Sequence, residues 1–247
     1  MRIVRFLTVG FLMLNILNAE AGVCSVSIDI GHSKEIQGAI STIGIGEYVY
    51  NKEVAEALEK NLSKRVNIRV FIVNPGGHTV KLEDRVKEAE ARGAEVFVSI
   101  HHDSVSKSFL KKGEYEGNKI KYTDRDDFSG FAIFVSPKNP KFSESLRLAT
   151  MVGMSLASGG YTPTLYHTQD IDGERKKMYS RKNGVYRYDN LVVLKKTKIP
   201  SILIENGMIV NKKEERKIRS LSRRADYVHR VGDAIVQWCA EVREKTN

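Results

Sequence analysis

The chain has 247 residues, 41% of them hydrophobic and 28% charged, which is too apolar for intrinsic disorder. With 5 Pro and 19 Gly it is neither collagen-like nor a proline-rich linker, and 2 Cys are too few for a disulfide-dense scaffold. The 40 Lys and Arg against 30 Asp and Glu give +10, which favours an anionic partner without choosing among nucleic acid, anionic lipid and acidic polysaccharide.

Arg2 and Arg5 precede an apolar run over 6–17, and Asn18-Ala19-Glu20-Ala21 follows it. A charged start, about a dozen apolar residues and a small-x-small end form the pattern of a cleaved export leader. The run is shorter than the roughly 20 residues a membrane span needs. Residues 1–21 are therefore expected to be a signal peptide. Residues 22–247 are expected to form one domain in the periplasm, envelope or extracellular space, with no transmembrane span. Losing Arg2, Arg5 and Glu20 lowers the net charge only from +10 to +9, and export directs that charge to envelope polymers rather than to nucleic acid. Export also permits a disulfide between Cys24 and Cys239, although two free buried thiols fit equally well.

Beyond the leader, residues 23–30 read as a strand. Residues 51–62 carry Val54, Leu58 and Leu62 at helical spacing. Residues 68–73 form a β-rich run closed by the turn Asn74-Pro75-Gly76-Gly77. A helix is predicted over 82–92, with Leu82, Val86 and Ala89 on one face and Gly93 as its stop. Strands follow at 94–100 and 131–135, a helix at 143–158, and short strands at 191–194 and 199–204. One long helix is predicted over 212–244. This alternation predicts an α/β fold: a mainly parallel central sheet with helices on both faces, a three-layer αβα sandwich. Two polar stretches, 106–129 and 166–188, read as insertions on one rim of the sheet.

Ligands of open α/β sheets bind at the carboxyl ends of strands. The first predicted strand ends in Asp29-Ile30-Gly31-His32, the third in Ser99-Ile100-His101-His102-Asp103, and the last in Ile204-Glu205-Asn206-Gly207. Glu47 lies just ahead of the first predicted helix, at the same rim. Two His and one carboxylate with an open position are a catalytic zinc arrangement, and a second carboxylate can move the proton of a bound water. Glu47 and Glu205 supply the two carboxylates, and spacing leaves their roles open. Strand alternation sends His101 and His102 to opposite faces, so only one reaches a shared ion.

At these residues the sequence resembles the zinc-dependent N-acetylmuramoyl-L-alanine amidases of bacterial cell walls. The resemblance rests on Ile28-Asp29-Ile30-Gly31-His32-Ser33, on Glu47 followed by Asn51, on Leu82-Glu83-Asp84-Arg85-Val86 ahead of Ser99-Ile100-His101, and on Ile199-Pro200 leading to Glu205. It covers about residues 25–240. It implies that His32, Glu47 and His101 hold one Zn2+ and that Glu205 is the catalytic base. The implied reaction is hydrolysis of the amide between N-acetylmuramic acid and L-alanine in peptidoglycan. The chain departs from the family pattern at Ile30, Ser33 and Asn206, and none of these removes a ligand.

His78, His167 and His229 read as surface or packing residues. Lys111, Lys112, Arg175, Lys176, Lys177, Arg181 and Arg187 offer cations to stem-peptide carboxylates, and Arg181, Arg187 and Asn206 are the candidate substrate contacts. Some members of this family carry a segment that blocks the metal until a protein activator removes it; 106–129 and 166–188 are the places for such a lid. The competing readings are a non-catalytic peptidoglycan- or partner-binding protein on the same fold, and a zinc peptidase acting within the stem peptide.

Overall fold

The sheet grows outward from its first strand. β1 (Cys24–Ile30) alternates Cys24, Val26, Ile28 and Ile30 on one face with Ser25, Ser27 and Asp29 on the other, and all seven are buried. The polar face is satisfied locally: Ser27 Oγ donates to the Val96 carbonyl, and the Arg69 guanidinium donates to Ser25 Oγ. The structure, a computed structural model, describes residues 22–244, so the predicted leader at 1–21 lies outside the described residues.

After β1 come α1 (Glu47–Leu62), β2 (Ile68–Val73), α2 (Leu82–Ala91) and β3 (Val96–Asp103). A 3-10 turn (Lys107–Phe109) leads to a hairpin of β4 (Lys111–Tyr115) and β5 (Asn118–Tyr122), then β6 (Ala132–Val135) and α3 (Phe142–Ser158). A second 3-10 turn (Tyr166–Thr168) precedes β7 (Met178–Ser180), β8 (Val185–Arg187), α4 (Val192–Lys196), β9 (Ser201–Met208), α5 (Lys212–Arg219) and α6 (Leu221–Glu244).

Seven strands form the central sheet in the order β2-β1-β3-β9-β6-β8-β7. β2, β1, β3 and β9 run parallel; β6 is antiparallel to β9, β8 is parallel to β6, and β7 is antiparallel to β8. Helices α1, α3 and α6 pack on one face, around Val26, Ile28, Val98, Ile100, Ile202, Leu58 and Trp238. Helices α2 and α4 cover the other, around Phe97, Phe134, Leu203, Val86 and Leu194. The predicted αβα sandwich is therefore present, with β6 and β8 reversed against the other five strands of its sheet. Cys24 and Cys239 are joined in a disulfide, with Cα atoms 5.9 Å apart, tying the start of β1 to the end of α6.

Four local expectations are corrected. Residues 191–194 begin the short helix α4 rather than a strand, because both edges of β9 are already paired, to β3 and β6. A four-residue apolar run carries no period that separates the two choices. The long predicted helix breaks at Ser220, whose extended backbone (φ -64, ψ 119) ends α5 and lets α6 start in a new direction. Residues 166–188 are not wholly an insertion: β7 and β8 extend the central sheet, and Tyr186 is fully buried. Strands of three residues at a sheet edge leave almost no periodic signal. Finally, Glu47 is the first residue of α1 rather than ahead of it.

Candidate metal centre and active site

The carboxyl ends of β1, β3 and β9 lie side by side because the three strands are parallel neighbours. His101 and Glu205 are register partners, so their side chains leave the sheet on the same face. His32 follows β1 in the left-handed region, with φ 67. This sharp turn is clamped from below: Arg85 of α2 donates to the carbonyls of Ile30 and His32 and pairs with Asp29 Oδ1 at 2.8 Å. Ser99 Oγ holds the other Asp29 oxygen at 2.7 Å. Two glycines leave room for the site. A Cβ on Gly31 would overlap the His101 ring, and one on Gly38 (φ +75) would overlap Glu47 and His32.

Glu47 swings its carboxylate from the first turn of α1 between the two imidazoles. Oε2 lies 2.9 Å from His32 Nε2, and Oε1 lies 3.0 Å from His101 Nδ1. Asn51 Nδ2 and the His102 backbone N–H each donate to Oε1 at 3.2 Å, and Ala39 N–H donates to Oε2 at 3.2 Å. Burial alone would raise the Glu47 pKa, but the hydrogen bonds and charge of His101 and His32 outweigh it and hold the carboxyl well below the usual range. The three ligand atoms lie within 4.8 Å of one another. Two imidazole nitrogens and a carboxylate oxygen, converging so closely and oriented by outer hydrogen bonds, fit a divalent cation of the zinc type.

Glu205 stands beside this triad. Its Oε2 is buried and has no hydrogen-bond partner in the protein. Burial, and then the like charges of Asp103, Glu47 and Glu174, push its pKa well above the usual carboxyl value. A carboxyl with its pKa raised and no partner holding its proton suits proton exchange with a bound reactant. A cleft beside the triad runs along the α2 and α4 face, lined by His32, Ile36, Leu82, His101 and Val192.

His102 points to the opposite face, as strand alternation predicts. Its Nδ1 bonds Asn51 Oδ1 at 2.8 Å, and burial pulls its pKa down to about 3. Asn206 also faces away from the cleft and donates through Nδ2 to the His101 carbonyl, so the structure places it behind the site rather than against substrate. Arg187 is exposed and paired with Asp189 at 2.7 Å. It lies two strands across from Glu205 and three residues along the sheet toward the opposite end, so it is not brought to the site. Arg181 is exposed in the β7–β8 turn, also two or more strands away. Of the other cations, Lys111 pairs with Asp124 and Lys176 with Glu174.

His78 and His229 are exposed, whereas His167 is buried between two carboxylates, with Nε2 at 2.7 Å from Asp103 and Nδ1 at 2.8 Å from Glu174. Burial works against its charge, yet Asp103 and Glu174 prevail and raise its pKa to about 9. Residue types and spacing alone missed three supports: the Asp29–Arg85 pair, the Asn51 amide and the His167 cluster. The signal for the first was present, since Arg85 sits on the same helical face as Leu82, Val86 and Ala89.

A family profile described as N-acetylmuramoyl-L-alanine amidase matches residues 26–237. The probable N-acetylmuramoyl-L-alanine amidase AmiB of Haemophilus influenzae is 25% identical over 227 residues, 86% of this chain and 51% of that protein. The chain thus spans about half the length of that curated relative. The crystal structure of an N-acetylmuramoyl-L-alanine amidase from Clostridium difficile 630 superposes with a TM-score of 0.66 at 21% identity, over 88% of this chain and 97% of that one. The CwlD amidase from Clostridioides difficile, solved in complex with the GerS lipoprotein, gives 0.63 at 17% identity, over 88% and 99%. At these identities the two structures establish the fold.

Proposed function

The chain belongs to the N-acetylmuramoyl-L-alanine amidase family, and from that premise we propose that it is a zinc hydrolase. It cuts the amide between N-acetylmuramic acid and the L-alanine of peptidoglycan stem peptides. The observation that carries this reading is the His32–Glu47–His101 convergence next to an unpartnered, buried Glu205 carboxyl.

In this mechanism His32, His101 and Glu47 would hold the ion. When bound, zinc supplies Lewis acidity, which eases deprotonation of water and polarises the scissile carbonyl. Glu205 takes a proton from the attacking water and returns it to the departing amine nitrogen. One water is consumed; the lactyl side gains a carboxylic acid and the L-alanine side a free α-amino group. Arg85 and Asp29 keep His32 in place, and Asn51 keeps the Glu47 carboxylate turned toward the two imidazoles. The stem peptide lies along the cleft between His32, Leu82 and Val192.

The leader pattern at 1–21 and the Cys24–Cys239 disulfide support action outside the cytoplasm. No helix among the described residues is long and apolar enough to cross a membrane. The likeness to an amidase solved in complex with a lipoprotein supports a protein partner for this domain.

Digestion of purified peptidoglycan by the zinc-loaded protein, with and without a chelator, tests the function. Mass analysis is expected to show stem peptides with a free L-alanine amino end, and none after chelation. Cleavage inside the stem, or an intact wall with zinc present, would overturn the assignment.

A further inference from the structure

The stretch of chain that carries Glu47 is gripped by a second buried carboxylate, Glu215 of α5. Ala39 meets Glu47 twice: its N–H donates to Oε2 at 3.2 Å, and its carbonyl accepts from the Glu47 N–H at 2.8 Å. Between these two residues the chain winds into a tight turn. Ser41 N–H donates to the Ile45 carbonyl at 2.8 Å, and the N–H groups of Ile43 and Ile45 donate to Ser41 Oγ at 3.3 and 3.2 Å. This turn belongs to no strand of the central sheet. Its position against α1 therefore has to be set by side chains.

Glu215 supplies them with a common acceptor. One carboxylate oxygen accepts from Thr42 Oγ1, inside the turn. The other accepts at 2.5 Å from Tyr50 OH, one turn of α1 beyond Glu47. Ser41 Oγ stands 3.1 Å from the same Tyr50 hydroxyl. Burial, and then the bond to Glu215, pushes the Tyr50 hydroxyl well above its usual pKa, so it remains a donor. The Thr42 N–H adds a bond at 3.1 Å to the Ile209 carbonyl, directly after β9. Glu215 thus bonds the segment that carries Glu47 on both sides of it.

This use of a charge is unusual. Glu215 is 2% exposed, and buried carboxylates are ordinarily paired with a cation. Among the described residues no Lys, Arg or His stands at ion-pair distance from Glu215. Arg219, one turn further along α5, is exposed. Anchoring α5 itself does not require the charge. Asn211 Oδ1 caps that helix by accepting from the Lys213 and Glu214 N–H groups at 2.9 and 3.1 Å, and Glu214 Oε1 accepts from Gly130 N–H at 3.2 Å. The side-chain bonds of Glu215 go to Thr42 and Tyr50, on either side of Glu47.

We propose that Glu215 is a positioning residue for the metal-holding carboxylate: by spanning Thr42 and Tyr50 it fixes the 41–45 turn against α1 and so sets Glu47 between His32 and His101. The inference rests on the reading of His32, Glu47 and His101 as the holders of a divalent ion. Hydroxyl bonds to an ionised carboxylate are short and strong, which suits a clamp that must hold a ligand in one place. Asn51, Ala39 and the His102 N–H touch Glu47 directly. Glu215 acts one step further out, through the turn that begins at Ala39. Partners outside a metal's own ligands commonly change its affinity about 10–100-fold.

The test measures metal binding by the mature chain, with Zn2+ affinity read by competition with a chromophoric chelator and ligand geometry read by the absorption spectrum of bound Co2+. Circular dichroism of the metal-free protein checks that each variant is folded. Glu215→Ala is expected to bind Zn2+ at least about tenfold more weakly, with an altered Co2+ spectrum. Glu215→Gln, which still bridges both hydroxyls, is expected to recover most of the affinity. Thr42→Val and Tyr50→Phe each delete one of the two bonds with little change of shape, and each is expected to weaken Zn2+ several-fold. These two keep the proposal open to failure if Glu215→Ala does not fold. A merely structural Glu215 would lower the unfolding midpoint and leave metal binding by the folded protein alone. The proposal is overturned if folded Thr42→Val and Tyr50→Phe both bind Zn2+ within about twofold of the parent and keep its Co2+ spectrum. A parent chain that binds no Zn2+ would overturn the metal-site reading as well, which separates the two failures.

Discussion

Glu205 differs from the other carboxylates among the described residues in being buried, unpartnered and surrounded by like charge. Its role is separable from that of the ligands. Glu205→Gln keeps the shape of the side chain, so zinc content and unfolding midpoint are expected to stay at the parent values. Peptidoglycan cleavage is expected to fall about 10²–10⁴-fold, the usual contribution of a general base, as read by released stem peptides and by metal analysis. A variant that retains near-parent turnover would remove Glu205 from the mechanism. Gly31 gives a complementary test, since Gly31→Ala puts a methyl group into the His101 ring. It is expected to weaken zinc binding in a competitive chelator titration while the rest of the fold persists. The identity of these residues was legible at the strand ends. Their outer partners were not, because hydrogen bonds from Arg85, Asn51 and Ser99 connect positions far apart in the chain.

Helix α2 and the second 3-10 turn each support the site with buried charge. Arg85 is buried with Asp29, and replacing one partner strands the other: Arg85→Met is expected to cost about 3–5 kcal/mol. Urea denaturation would read that loss. His167 gives a dependence on pH. Its unfolded pKa is near 6.5 and its folded value is about 9, so the folded state binds the proton more tightly. The stabilisation is complete below about pH 6.5 and fades as pH rises through 9, by up to about 3 kcal/mol. Melting curves across that window are expected to fall for the parent and to flatten for His167→Gln. At this scale the sequence was read well where the period was long, as in α1, α2 and α3. It was misread in 191–194 and 178–187, where three to five residues hold no usable period and pairing partners decide.

The whole molecule is held at its ends by one covalent tie. Cys24 and Cys239 close a loop with a sequence separation of 215 residues, so reduction, or Cys24→Ser with Cys239→Ser, is expected to cost about 2–5 kcal/mol in chemical denaturation. The proposed metal-holding triad lies at the far, carboxyl end of β1, so specific activity of the folded fraction is expected to be unchanged. Composition and spacing by themselves determined the α/β class, the helices and strands with a clear period, and a group of metal-type residues at element ends, from which the family resemblance picked His32, Glu47, His101 and Glu205. Those features are local: a hydrophobic period, a turn, a polar residue closing a strand. Tertiary structure alone decided that β6 runs against β9, that 178–187 joins the sheet, that Cys24 meets Cys239, and that Asn206 lies behind the triad. Each of these depends on which distant segments become neighbours, and the free energy of packing them is shared over the whole core rather than written in any one stretch of chain.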